Sequence, residues 1–216
     1  MVRLPFTEAS VVVGVSDTDL RGDLAVPEAP VGLVVFAHGS GSSRRSPRNR
    51  LVASVLHEAR FATLLLDLLT PEEERERRNV FDIDLLAGRL VDTTRWVGAE
   101  PQIAELPLGA FGASTGAGAA LAAAAVEPSI RAVVSRGGRP DLAAWALGRV
   151  RVPTLLIVGG DDREVLKLNR AAAAQLRGPT ELAVVPGATH LFEEPGALER
   201  VSELAVGWFE RYLPLA

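Results

Sequence analysis

Apolar runs of strand length recur along the chain, separated by segments in which apolar positions return at helical spacing. The runs at residues 32–37, 62–66, 108–111, 132–135, 154–158 and 181–185 are largely continuous in Val, Leu, Ile, Phe and Ala. Such continuity predicts parallel strands buried on both faces. Helices are expected at 48–59, 84–98, 115–126, 141–147, 164–176 and 197–213. The chain opens differently. Residues 11–15 and 19–26 are separated only by the turn Ser16-Asp17-Thr18, which predicts an antiparallel hairpin. Eight strands and six helices in this order are expected to form an α/β structure, with helices covering the faces of one sheet.

No internal repeat, low-complexity linker or shift of composition marks a boundary, so residues 1–216 are expected to form one domain. The charged run at 71–78 reads as a solvated loop or helix, with Glu73 facing Arg77 and Glu74 facing Arg78 at helical i,i+4 spacing.

Composition narrows the function classes. With 48% hydrophobic and 23% charged residues, a chain of 216 can bury a substantial core, which excludes disorder and fibrous structure. A formal charge of −4, from 27 acidic and 23 basic side chains, gives no general drive toward nucleic acid or an anionic membrane. The absence of cysteine excludes disulfides, a thiolate nucleophile and cysteine-ligated metals, and is compatible with the cytosol. Glu8 comes before any apolar run of signal-peptide length, and the apolar stretch at 117–126 is too short to span a bilayer. A soluble, cytoplasmic protein without a nucleic-acid or membrane partner is the expectation.

The segment with the most chemical content is Leu108-Gly109-Ala110-Phe111-Gly112-Ala113-Ser114-Thr115-Gly116, a strand that ends in G-x-S-x-G and runs straight into an alanine-rich helix. This is the setting of a nucleophile elbow, where a sharp strained turn projects a serine above the sheet and flanking glycines let the helix approach. The bland reading, glycines serving helix packing alone, leaves the partners downstream unexplained. A serine hydroxyl needs a base. Of three histidines, His57 sits on an amphipathic helix and His38 in a glycine-rich loop, while His190 is the only one after Ser114. The order serine, acid, histidine that accompanies such an elbow therefore selects His190. Two adjacent aspartates, Asp161 and Asp162, follow the strand at 154–158, with one expected to orient the histidine and the other to cap the next helix. Asp141 is a third, poorer candidate. The oxyanion of acyl transfer needs backbone N–H donors. Thr115, next to the serine, is one. The other is expected from His38-Gly39-Ser40-Gly41, an H-G-x-G loop, with Ser40 ahead of Gly41.

Taken in order, H-G-S-G, G-A-S-T-G, G-G-D-D and G-A-T-H make the chain resemble an α/β-hydrolase, in particular the small, lidless branch related to dienelactone hydrolases. The resemblance covers nearly the whole chain. It implies an eight-stranded, mostly parallel sheet whose second strand is antiparallel, and a triad of Ser114, Asp162 and His190, with Asp162 preferred over Asp161 by its place in G-x-x-D. It also implies no metal and no organic cofactor. Dienelactone hydrolases proper use a cysteine nucleophile, which this chain lacks, so lactone hydrolysis does not carry over with the fold. Some similar domains are fused to a phosphoribosyltransferase, but no segment here matches its phosphate-binding loop.

The expected function is hydrolysis of a small ester, thioester or related acyl substrate through an acyl-enzyme. Arg44, Arg45, Arg48, Arg136 and Arg139 crowd the loops around the expected site, in a chain with a single lysine, Lys167. A cation where a helix opens opposes the helix dipole, so Arg45 and Arg136 are candidates for binding an anionic substrate. Two alternatives remain: an inactive hydrolase fold used as a binding module, and a dinucleotide-binding protein built on Gly39-Ser40-Gly41 with Asp67 on the ribose.

Overall fold

The structure is a computed structural model that describes residues 6–215. Met1 to Pro5, part of the segment read for a signal peptide, lie outside the described residues. Eight strands form one sheet: β1 (Phe6–Gly14), β2 (Asp19–Pro27), β3 (Gly32–Ala37), β4 (Phe61–Leu66), β5 (Leu108–Ala113), β6 (Ile130–Arg136), β7 (Thr154–Gly159) and β8 (Thr180–Val185). Their order is β1-β2-β4-β3-β5-β6-β7-β8. β2 runs antiparallel to both of its neighbours. Every other pairing is parallel.

Alternate residues of the central strands feed two cores. Leu33, Val35 and Ala37 of β3 join Leu108 and Ala110 of β5 on one face, where α3 (Ile83–Ala99) and α4 (Thr115–Ala124) pack. Val34, Phe36 and Phe111 point to the other face, covered by α1 (Pro47–Glu58) and α7 (Ala197–Tyr212). Phe36 and Phe111 meet there at 4.8 Å between ring centroids, in the tilted geometry aromatic pairs favour. α4 is buried over its whole length, which its run of alanines and glycines permits. α6 (Arg163–Ala173) covers β7 and β8. Local chemistry fixes the helix starts. Ser46 Oγ accepts from the Asn49 N–H ahead of α1, and Asp82 accepts from the Leu85 N–H ahead of α3.

Four expectations need correction. β1 begins at Phe6 rather than at residue 11, because the exposed edge residues Thr7, Glu8, Ala9 and Ser10 carry no apolar signature. β8 is an edge strand and only half-buried, with Glu181 and Val184 exposed. The run at 71–78 is broken at Glu76, whose extended backbone separates a 3-10 turn (Glu73–Arg75) from a short helix, α2 (Arg77–Val80). The break removes the i,i+4 register, and Glu73 turns inward to the buried Arg89 at 2.6 Å. The helix expected at 141–147 is a 3-10 turn (Pro140–Ala143) followed by the single turn α5 (Ala144–Leu147). Among the described residues no helix is long and apolar enough to cross a membrane.

The topology gathers the carboxyl ends of β3, β5, β6, β7 and β8 along one edge of the sheet, which is where open α/β sheets place their ligands. The connection from β6 to the next turn, residues 137–139, is too short to fold over that edge as a lid.

Candidate active site

β5 delivers Ser114 at φ 51°, ψ −118°, a region that side chains other than glycine avoid. Neighbours hold it there. The Ser114 N–H donates to the Arg136 carbonyl at 3.2 Å, and the Ser114 carbonyl accepts from the Ala117 and Arg139 N–H groups at 3.1 and 3.0 Å. Ser114 occupies the N-cap position of α4, yet its hydroxyl caps no helix N–H. The close approach depends on missing side chains: a Cβ on Gly116 would lie 2.2 Å from the Ala37 carbonyl oxygen, and one on Gly112 would lie 2.4 Å from Ala117 Cα.

His190 stands in the loop after β8, and its Nδ1 meets Asp162 Oδ2 at 2.6 Å. An Nδ1–H donated to a carboxylate leaves Nε2 as the acceptor of a neutral imidazole. The Asp161 N–H donates to the Ala188 carbonyl at 3.0 Å, and a Cβ on Gly159 would lie 2.3 Å from that oxygen, so the ends of β7 and β8 are held close together. Asp162 is the N-cap residue of α6 and makes no capping bond, its carboxylate being turned to the histidine. The expected division of labour, one aspartate orienting and its neighbour capping, is therefore corrected. Asp162 holds both positions, and Asp161 contributes a backbone bond.

The H-G-S-G loop is a turn closed by the Ser42 N–H donating to the Gly39 carbonyl at 3.2 Å, with Gly41 at φ 67° where such turns favour glycine. The same carbonyl accepts from His38 Nδ1–H at 2.9 Å, while His38 Nε2 accepts the Leu68 N–H at 3.1 Å. In a trans peptide the C=O and N–H are opposed, so anchoring the Gly39 carbonyl from two donors also fixes the direction of the Ser40 N–H. His38 thus buttresses the loop. The anchor continues through Leu68, whose carbonyl accepts from Arg89, itself held by Glu73 and Asp17. Thr115 is the first residue of α4, and its buried N–H has no acceptor within the helix.

A cavity of about 210 Å³ brings Ser114, His190, Ser40, Arg48 and Arg136 together. Of the five arginines singled out in the sequence, Arg44 is tied to Asp67 and Asp23, and Arg139 to Asp141. Arg45 is exposed and is not part of the cavity lining, and Arg48, one position into α1 from Pro47, takes the place expected of it while pairing with the exposed Glu193 at 3.1 Å. Arg136 is 7% exposed and has no carboxylate partner. Its Nη2 reaches Asn49 Oδ1 at 3.4 Å, its guanidinium lies 5.9 Å from the Phe192 ring centroid, and its Nε is buried without an acceptor. Burial, with Arg48 nearby, pushes its pKa down to about 10. His57, near the C-terminal end of α1, meets Thr63 Oγ1 of β4 at 2.7 Å and is not part of the cavity lining. Among the described residues no cluster of His, Cys, Asp or Glu could hold a metal. Asp67, needed for a nucleotide ribose, is engaged by Arg44, and α1 begins only at Pro47, well past the glycine loop, so the dinucleotide reading loses both of its supports.

Arg48 stands among the arginines that the sequence places around the site but could not be told apart from them, and the Arg89 network was not legible at all. The one sequence signal for Arg48 was a cation in the first turn of a helix, which it shared with its neighbours.

No family model matches the chain. It is 63% identical over 211 residues to proteins of two Mycobacterium tuberculosis strains named, provisionally, as phosphoribosyl transferases. The match covers 97% of this chain and 47% of those proteins, so the chain spans about half the length of the curated relatives it matches. A crystal structure of a dienelactone hydrolase from Anabaena variabilis superposes with a TM-score of 0.94 at 55% identity, covering 96% of this chain and 99% of that one. A cold-adapted esterase from an Arctic intertidal metagenomic library has the same fold, with a TM-score of 0.80 at 16% identity over 99% of this chain and 97% of its own.

Proposed function

Because the chain belongs to the dienelactone hydrolase family of α/β-hydrolases, we propose that it hydrolyses a small ester or thioester through an acyl-enzyme formed on Ser114. The observation that carries this reading is the His190–Asp162 contact of 2.6 Å beside a cavity that also contains a serine on a strained turn.

Ser114 Oγ attacks the carbonyl carbon while His190 Nε2 takes its proton, and Asp162 stabilises the imidazolium. The carbonyl oxygen, now negative, is held by the N–H groups of Ser40 and Thr115. Collapse breaks the bond to the leaving oxygen or sulfur, which receives the proton from His190. Water then adds to the same carbon, giving its proton to His190, and Ser114 leaves with that proton restored. The products are a carboxylic acid and an alcohol or thiol.

Arg136, with Arg48 in place of Arg45, serves in this reading as a cationic patch for an anionic portion of the substrate. An arginine buried without a carboxylate is otherwise a standing cost. The relatives named as phosphoribosyl transferases are about twice as long, and this chain matches only about half of their length.

Incubation with a fluorophosphonate followed by intact-mass measurement tests the proposal. The wild type is expected to gain one covalent adduct and Ser114→Ala none. A folded wild type that stays unlabelled would return weight to the binding-module reading.

A further inference from the structure

Two cavities meet at the Gly39-Ser40 turn. The first is the one containing Ser114 and His190. The second, about 240 Å³, lies on the other side of the turn with Thr115 in its wall, and neither Ser114 nor His190 reaches it. Its floor is Leu68, Leu69 and Leu86, each at most 4% exposed, together with Val80, and the exposed side chains of Glu74, Arg75 and Arg77 complete its lining.

The stereochemistry of acyl transfer assigns a direction to each substituent on the attacked carbon. Its oxygen points to the Ser40 and Thr115 N–H groups. The leaving group must lie within reach of His190, which protonates it, and so must occupy the first cavity. The acyl chain takes the remaining direction, away from the histidine. Resting on the ester-hydrolase reading above, we propose that the cavity floored by Leu68, Leu69, Val80 and Leu86 is the acyl subsite. Its ligand is an uncharged, apolar acyl group of benzoyl or medium-length alkanoyl size.

The chemistry of the walls supports that class. Apolar surface facing a void gains by being covered with an apolar group, and a polar acyl group would meet few partners on this floor. The volume exceeds the roughly 150 Å³ of a cavity that takes up benzene. The charged side chains of the lining, Glu74, Arg75 and Arg77, are all exposed to solvent and not part of the buried floor. The floor is also held firmly. Leu68 is bonded through its N–H to His38 and through its carbonyl to Arg89, and Glu73, at the start of the turn that carries Arg75, is bonded to the same arginine. A wall pinned in this way sets a length limit and does not expand to fit.

Initial rates with para-nitrophenyl acetate, butyrate, hexanoate, octanoate and decanoate keep the leaving group constant and vary only the acyl chain. kcat/KM is expected to rise by up to about fourfold per methylene to a maximum within the series and then fall. Val80, half-buried in the short α2, allows the subsite to be altered without opening the main core. Val80→Trp should lower hexanoate and octanoate hydrolysis by about tenfold or more while acetate stays within about twofold, and Val80→Ala should move the maximum to a longer chain. Melting temperature and fluorophosphonate labelling establish that each variant is folded with a working serine, and if Val80→Trp does not fold, Val80→Ala decides. A labelled, active wild type with a flat chain-length profile, or a profile unmoved in the folded variants, would overturn the subsite and leave the hydrolase reading standing. A folded wild type that neither labels nor hydrolyses any ester would overturn both.

Discussion

Arg89 and Arg136 are both nearly sealed from solvent, at 2% and 7% exposure, and their surroundings are opposite. Arg89, in α3, bonds to both oxygens of Glu73, to Asp17 and to the Leu68 carbonyl. Its carboxylate partners raise its pKa, with the hydrogen bonds to Glu73 the main cause. Arg136 has an amide oxygen at long range, the face of Phe192, and a second arginine nearby, and its pKa falls to about 10. A buried cation with matched carboxylates closes a structure, and here it ties the β1–β2 turn, the wall of the second cavity and, through Leu68 and His38, the Ser40 peptide. A buried cation without them is unfinished electrostatically, and it faces the cavity that holds the serine and the histidine.

Three perturbations can break or sharpen that contrast. The largest effect is expected from Arg89→Met, which removes the cation from Glu73 and the donor from the Leu68 carbonyl and should cost about 3–5 kcal/mol in urea denaturation. On the proposed function, esterase activity should fall with it, because the Ser40 peptide loses its remote anchor. A loss below about 1 kcal/mol would mean that the network is no clamp.

A smaller effect is expected from acid. Arg89 holds the Glu73 carboxyl at about 2, against an ordinary 4.5. A depressed carboxyl contributes stability above its unfolded pKa and loses it as pH falls through the folded one, so this contribution should drain away between about pH 4.5 and 2. Glu73→Gln should be less stable than wild type at neutral pH and should show a shallower loss across that window. Parallel stability curves for the two proteins would break the assignment.

The smallest effect on stability is expected from Arg136→Met. The charged form of this side chain is disfavoured by burial at every pH below about 10, so its removal should leave the thermal midpoint unchanged or slightly raised. The change should appear in kinetics. KM should rise for esters whose leaving group carries a carboxylate or phosphate and stay unchanged for neutral ones. A fall in stability like that of Arg89→Met would make Arg136 a structural residue.

What could be read in advance follows physical lines. Central strands were legible because burial on both faces leaves continuous apolar runs such as Leu33 to Phe36. The outer half of β1 was not, since Thr7 to Ser10 pair through their backbone and expose their side chains. Ser114 and His190 were legible because an elbow needs a glycine-flanked serine between strand and helix, and a base after it. Asp161 and Asp162 could not be separated by periodicity alone. They are adjacent, and which one faces the histidine depends on backbone angles at the start of α6. The Glu73–Arg77 pairing assumed an unbroken helix, and Arg89, sixteen residues on, made the better-buried partner for Glu73. Long-range pairs of that kind leave no trace in local spacing.

The backbone of Ser114 carries one more implication. A side chain held at φ 51° costs on the order of 1–3 kcal/mol, which glycine at the same position would not incur. Selection for turnover and selection for thermal robustness therefore pull this single codon in opposite directions. In a lineage released from the need to catalyse, drift to glycine at position 114 would be rewarded at once with a sturdier protein.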